Sequence, residues 1–127
     1  MVIIYSDGGS FNNQHGDKRD AYGSFMVEGE QIKHKFRYGN KTNNEAEYLT
    51  LIKALRYIKN KRNEKDFVLY TDSQLITKQL GDTWKCKNEK LQPLYEEAKG
   101  LIESINDGKH VEVAWTDNKK MKRILGH

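Results

Sequence analysis

Cysteine, proline and long apolar runs are scarce in this chain of 127 residues. A single cysteine, Cys86, leaves no partner for an internal disulfide and no thiolate cluster for a zinc site. One proline and the lack of any low-complexity tract argue against a disordered or fibrous chain. No apolar run approaches the roughly 20 residues that a membrane helix needs. The opening segment MVIIYSDGG has too short an apolar stretch, Val2 to Tyr5, and no basic leader, so it does not read as a secretory signal. The expectation is one domain over residues 1–127, monomeric, cytoplasmic and without membrane association.

What the chain has is charge of both signs and aromatic bulk. The formal net charge is +4, and the surplus is grouped in Lys59–Lys65, Lys85–Lys90 and Lys119–Arg123. Grouped cations suit a phosphate backbone as partner.

The hydrophobic pattern gives the elements in order. MVIIYSD reads as a strand that stops at Ser6-Asp7 and turns at Gly8-Gly9. Residues Phe11 to Asp20 are too polar to pack and read as a loop. AYGSFMVEG and QIKHKFRYG read as two further strands, the latter with Ile32, Phe36 and Tyr38 in phase, closing an antiparallel meander. TNNEAEYLTLIKAL then begins an amphipathic helix, with Thr42 or Asn43 as its cap. The apolar run FVLYTDS suits a central strand covered on both faces. SQLITKQLG is a short helix between Ser73 and Gly81, and LQPLYEEAKGLIESI a longer one. HVEVAWT is a last strand, with Val111, Val113 and Trp115 in alternation, and NKKMKRILGH a terminal helix. The implied architecture is α/β, a mixed five-stranded sheet in which helix-connected strands lie parallel.

Three acids occupy positions that such a sheet can bring together. Asp7 ends the first strand, Asp72 ends the apolar strand, and Glu47 lies near the start of the helix between them. Converging carboxylates repel unless a cation sits among them. A hard oxygen donor set without Cys or His favours magnesium or manganese.

The segments YSDGGS, TNNEAEY, YTDSQ and WKCKNEKL resemble, in order and spacing, the motifs of type 1 ribonuclease H. The resemblance runs from Ile3 to at least Trp115 and implies the ribonuclease H-like fold. It further implies an endonuclease that hydrolyses the RNA strand of RNA–DNA hybrids with two Mg2+ or Mn2+ ions held by four acidic residues. Asp7, Glu47 and Asp72 match three of these, which leaves Glu45 as an acid of the capping region. Asn43 and Asn44 match positions that touch the hybrid's minor groove, where an amide can read a 2′-hydroxyl. Asn12 and Gln74 lie beside the matched turns as further contacts. Trp84, Lys85 and Lys87 fall in the segment that grips the DNA strand.

The match weakens at two places. Phe11 to Phe25 replaces a run of small residues with a polar one. The family's closing pattern of a mobile His, an Asn and an Ala-Asp pair on the final helix is also missing. Aligning Gly126-His127 with Ala-Asp makes His127 the fourth ligand, with Asp117 as the rival, while His15, His34 and His110 read as surface residues. A hybrid-binding module with weakened catalysis, or another nuclease of the same fold, is the alternative function.

Overall fold

The computed structural model describes residues 1–12, by backbone alone at Asn12, and residues 19–126. The elements follow the order β1 (Val2–Asn12), β2 (Arg19–Val27), β3 (Lys33–Gly39), α1 (Asn43–Lys61), β4 (Asp66–Thr71), α2 (Gln74–Leu80), α3 (Gln92–Asn106), β5 (His110–Trp115) and α4 (Asn118–Leu125). The strands form one sheet in the order β3-β2-β1-β4-β5. β1 runs antiparallel to β2, as β2 does to β3, whereas β4 lies parallel to both β1 and β5. This is the mixed sheet implied by the sequence.

Alternation along β1 and β4 decides what each face receives. Ile4, Phe67 and Leu69 point into the larger core, which Tyr48, Leu51, Leu55 and Ile58 of α1 and Ala98 and Ile105 of α3 complete. Tyr5 points the other way and is covered by Met121 and Leu125 of α4. Helices thus lie on both faces. The buried Tyr48 hydroxyl donates to Gln79 Oε1 at 2.5 Å, which ties α1 to α2 and satisfies two polar groups inside the core.

Local signals fix the helix starts. Thr42 caps α1: its hydroxyl accepts from Glu45 N at 3.2 Å, and Glu45 Oε1 accepts from Thr42 N at 3.0 Å. Glu45 is therefore the capping acid that its position suggested. Ser73 caps α2 through Ile76 N, and Asp117 caps α4 through Lys120 N at 2.7 Å.

Five readings need correction. β1 does not stop at Asp7 or turn at Gly8-Gly9; it continues to Asn12, and β2 begins at Arg19, with Asn12 opposite Arg19. The stretch read as a loop from Phe11 to Asp20 is thus partly a hairpin, because ladder pairing needs main-chain groups and not apolar side chains. Ile32 precedes β3 and is 66% exposed. Trp115 ends β5 exposed, its indole donating to Asp72 O at 3.2 Å. α4 ends at Leu125, where Gly126 takes a left-handed conformation (φ 78°) and donates to Lys122 O. The helix expected to reach the chain end is therefore shorter.

Candidate active site

Asp7 and Asp72 stand on the same face of the sheet. Tyr5 pairs with Tyr70 in the β1–β4 ladder, and each aspartate follows its tyrosine by two residues. Both side chains therefore project toward the α4 side, just beyond the last paired rung. Glu47 comes from the other face. It reaches the same place because α1 presses on β1 at Gly8. A Cβ on Gly8 would lie 2.6 Å from Ala46 C and O and 2.8 Å from Glu47 N. Only glycine permits that approach.

The ligand-type oxygens of Asp7, Glu47 and Asp72 lie within 4.8 Å of one another. They line an open depression of about 360 Å³ with Gly8, Gly9, Tyr22, Asn43, Asn44, Asn118 and Lys122. Burial pushes the Glu47 carboxyl up to about 8, with the charges of Asp72 and Asp7 adding to the rise and a hydrogen bond with Ser73 opposing it. Three converging hard oxygens, with no Cys or His among them, fit a divalent cation of the magnesium or manganese type.

The supporting residues follow the same logic. Asn43, at the start of α1, accepts from Ser10 N at 2.5 Å and so ties the helix entry to β1. Tyr22 is opposite Gly9 in the β1–β2 ladder, and its hydroxyl occupies the space a side chain at position 9 would need. Burial, then the charges of Asp7, Asp72 and Glu47, raise the Tyr22 phenol above its ordinary range, which keeps it protonated. Asn118 donates from Nδ2 to Asp72 Oδ2 at 3.1 Å and orients that carboxylate.

Of the residues singled out from sequence, Asp7, Glu47, Asp72, Asn43 and Asn44 meet in one depression. Gln74 lines a different hollow with Thr77, Lys78, Thr83 and Trp115. Trp84 and Lys85 line a third with Asp82, Cys86 and Tyr95, and Lys87 is exposed in the same segment. Asp117 is occupied as the α4 cap, whereas His127, like His15 and the side chain of Asn12, lies outside the described residues. His34 is not a plain surface residue: it stacks on Phe25 at 4.3 Å between ring centroids and packs on Tyr57. Tyr22, Asn118 and Lys122 went unnoticed in the sequence. The one available signal was the four-residue spacing of Asn118 and Lys122, which places both on one side of a helix.

Comparison with known proteins agrees with this geometry. The family model described as RNase H matches residues 1–120. A ribonuclease H of Saccharomyces cerevisiae is 39% identical over 99 residues, covering 72% of this chain and 28% of that protein. The chain thus spans under a third of the length of that curated relative. Among solved structures, the N-terminal RNase H domain of a Mycobacterium tuberculosis protein is 26% identical, with a TM-score of 0.79 over 96% of this chain and 86% of that one. LC11-RNase H1 in complex with an RNA/DNA hybrid shares the fold at 23% identity and a TM-score of 0.77, covering 97% and 90%. With its mixed sheet and its three converging acids, the chain belongs to the RNase H family.

Proposed function

We propose that the protein is a metal-dependent endoribonuclease that hydrolyses the RNA strand of RNA–DNA hybrids. The observation that carries this reading is the convergence of Asp7 from within β1, Asp72 from the end of β4 and Glu47 from α1 into one open depression. Family membership and the hybrid held by LC11-RNase H1 support the choice of substrate.

Hydrolysis of a phosphodiester requires a deprotonated water at phosphorus and stabilisation of the departing alkoxide. In a two-ion site these tasks are shared by cations about 3.5–4 Å apart. Asp7, Glu47 and Asp72 would hold the metal, which would supply an activated water and a Lewis acid. Asn118 keeps one Asp72 oxygen oriented through its hydrogen bond. The exposed amides of Asn43 and Asn44 sit at the rim, where they can exchange hydrogen bonds with a 2′-hydroxyl. Trp84, Lys85 and Lys87 lie on the exposed segment after α2, and their proposed role is to follow a second strand by stacking and phosphate contact. His127 is the proposed further metal ligand, and its removal should weaken metal binding; Asp117 is committed to capping.

The test is cleavage of end-labelled RNA–DNA hybrid, double-stranded RNA and double-stranded DNA with Mg2+ or Mn2+. Cleavage of the RNA strand of the hybrid alone is expected. Tight hybrid binding without cleavage under either metal would favour a binding module, and cleavage of DNA a different nuclease of this fold.

A further inference from the structure

Among the described residues, one cationic side chain lines the acidic depression. Lys122 lines it together with Asp7, Glu47, Asp72 and Asn118. Lys122 and Asn118 are one turn apart on α4, and Asn118 touches Asp72. The helix is not free to rotate Lys122 away. Met121, the preceding residue, is fully buried against Tyr5, Leu125 is 1% exposed in the same cluster, and Lys33 Nζ donates to the Leu125 carbonyl. Asp117 fixes the start of the helix and Gly126 its end. Turning α4 by one residue would pull Met121 out of its site.

The helix adds no acid to the depression: its sequence is NKKMKRIL, and the acids lining the depression among the described residues are Asp7, Glu47 and Asp72. We infer that Lys122 is a built-in counter-charge of the metal site, so that the protein holds one divalent cation there where four carboxylates would hold two. The inference rests on the proposed nuclease reading and refines it. With all three carboxyls ionised around a bound cation, three carboxylates and one ammonium leave two negative charges, which a single dication neutralises. A second dication would enter a neutral site already occupied by an ammonium, and repulsion opposes it. A neutral imidazole from His127 would not alter this balance. The ammonium is a compact point charge with three donors, suited to a phosphate oxygen of the substrate. It can therefore screen the phosphate's charge in the place of a second ion.

The experiment counts bound Mn2+, by calorimetry and by the resonance of free Mn2+, on the whole chain and on Lys122→Gln and Lys122→Asp. The expected result is one ion for the unaltered chain and two for Lys122→Asp. Lys122→Gln should bind one ion on the order of tenfold tighter, the effect of removing one like charge nearby. Melting in chelator gives a second readout. Lys122→Asp should melt lower than the unaltered chain without metal and recover with Mn2+, because it adds a fourth carboxylate to the cluster. Two ions of comparable affinity in the unaltered chain, or an ion count and chelator melting point unmoved by Lys122→Asp, would overturn the inference. Cleavage is scored separately: Lys122→Gln should lose about 10²-fold in hybrid cleavage, in line with one lost electrostatic contact. Absence of hybrid cleavage by the unaltered chain would instead defeat the nuclease reading and leave the ion count to decide the role of Lys122.

Discussion

The two faces of the sheet are built to different thickness. Beneath α1 and α3 lies a continuous apolar layer that includes Ile4, Phe25, Tyr48, Leu51, Leu55, Ile58, Phe67, Leu69 and Val111. Beneath α4, three buried side chains, Tyr5, Met121 and Leu125, form the cluster, edged by Ile3, Met26, Tyr70 and Ile124. Lys120 lies 5.7 Å from the ring centres of both Tyr5 and Tyr70, so cation–π contact supplements the sparse packing. Asp7 and Asp72 project from the thin face, where Asn118 of α4 bonds to Asp72 and Lys122 lines the same depression. Glu47 is the exception: it is carried by the thick face and enters the site past the strand edge. Stability is concentrated on one side, whereas most of the polar site lies where little apolar area is committed, as expected of regions with low local stability.

Breaking the site itself should have the largest effect. Asp7→Asn or Asp72→Asn should reduce hybrid cleavage by at least on the order of 10³-fold while the melting point in chelator holds or rises, because one repelling charge is gone. Steady-state cleavage and circular dichroism check the two halves of the claim.

Cutting into each face separately sharpens the comparison. Leu51→Ala on the thick face should cost about 2–5 kcal/mol in urea unfolding, the usual cost of a core cavity, with little change in cleavage at temperatures well below melting. Met121→Ala on the thin face should fall at the low end of that range, about 2 kcal/mol. It should nevertheless reduce cleavage more, because α4 carries Asn118 and Lys122. Faster amide exchange confined to α4 would distinguish local loosening from global loss.

A smaller effect separates the faces by pH. Glu47 has its carboxyl raised from an ordinary 4.5 to about 8 in the folded, metal-free protein. Between those values the folded chain binds more protons than the unfolded one, so stability falls as pH rises. The contribution is fully present below about 4.5 and is lost by about 8. Glu47→Gln should flatten that slope in chelator, and saturating Mn2+ should flatten it as well.

The smallest change is expected at Glu45, two residues from Glu47 and outside the depression. Glu45→Gln weakens a capping box and its long contact to Lys41 at 4.0 Å. It should cost at most about 1 kcal/mol and leave cleavage nearly intact. Equal loss of activity in Glu45→Gln and Glu47→Gln would overturn the distinction between the two acids.

Much of this was legible in the chain because it is locally encoded. Thr42 with Glu45, Ser73 with Gly81, and the apolar run of β4 each state their element within a few residues. The three acids could be singled out because each lies beside a locally legible stretch: Asp7 after the apolar run of β1, Glu47 in the second turn of α1 and Asp72 after β4. The extension of β1 through Gly8 and Gly9 to Asn12 was hidden, since its residues pair through main-chain groups and carry turn-forming side chains. Tyr22, Asn118 and Lys122 were hidden for a different reason. Their place depends on which face α4 covers and how it is rotated, and that is settled by Met121 and Leu125 meeting Tyr5 across the sheet. A search for a fourth acid also looks past a lysine.

The contact at Gly8 works as a gauge block. Main chain meets main chain between β1 and α1, one residue from Asp7 on the strand and one from Glu47 on the helix. The spacing of those two carboxylates is therefore referenced to peptide atoms and not to the volume of any packed side chain. Trimming the core can make the fold easier to melt without resetting the coordination distance. A single methyl at position 8 would be a shim, which pushes α1 off β1 and opens the gap between the two ligands.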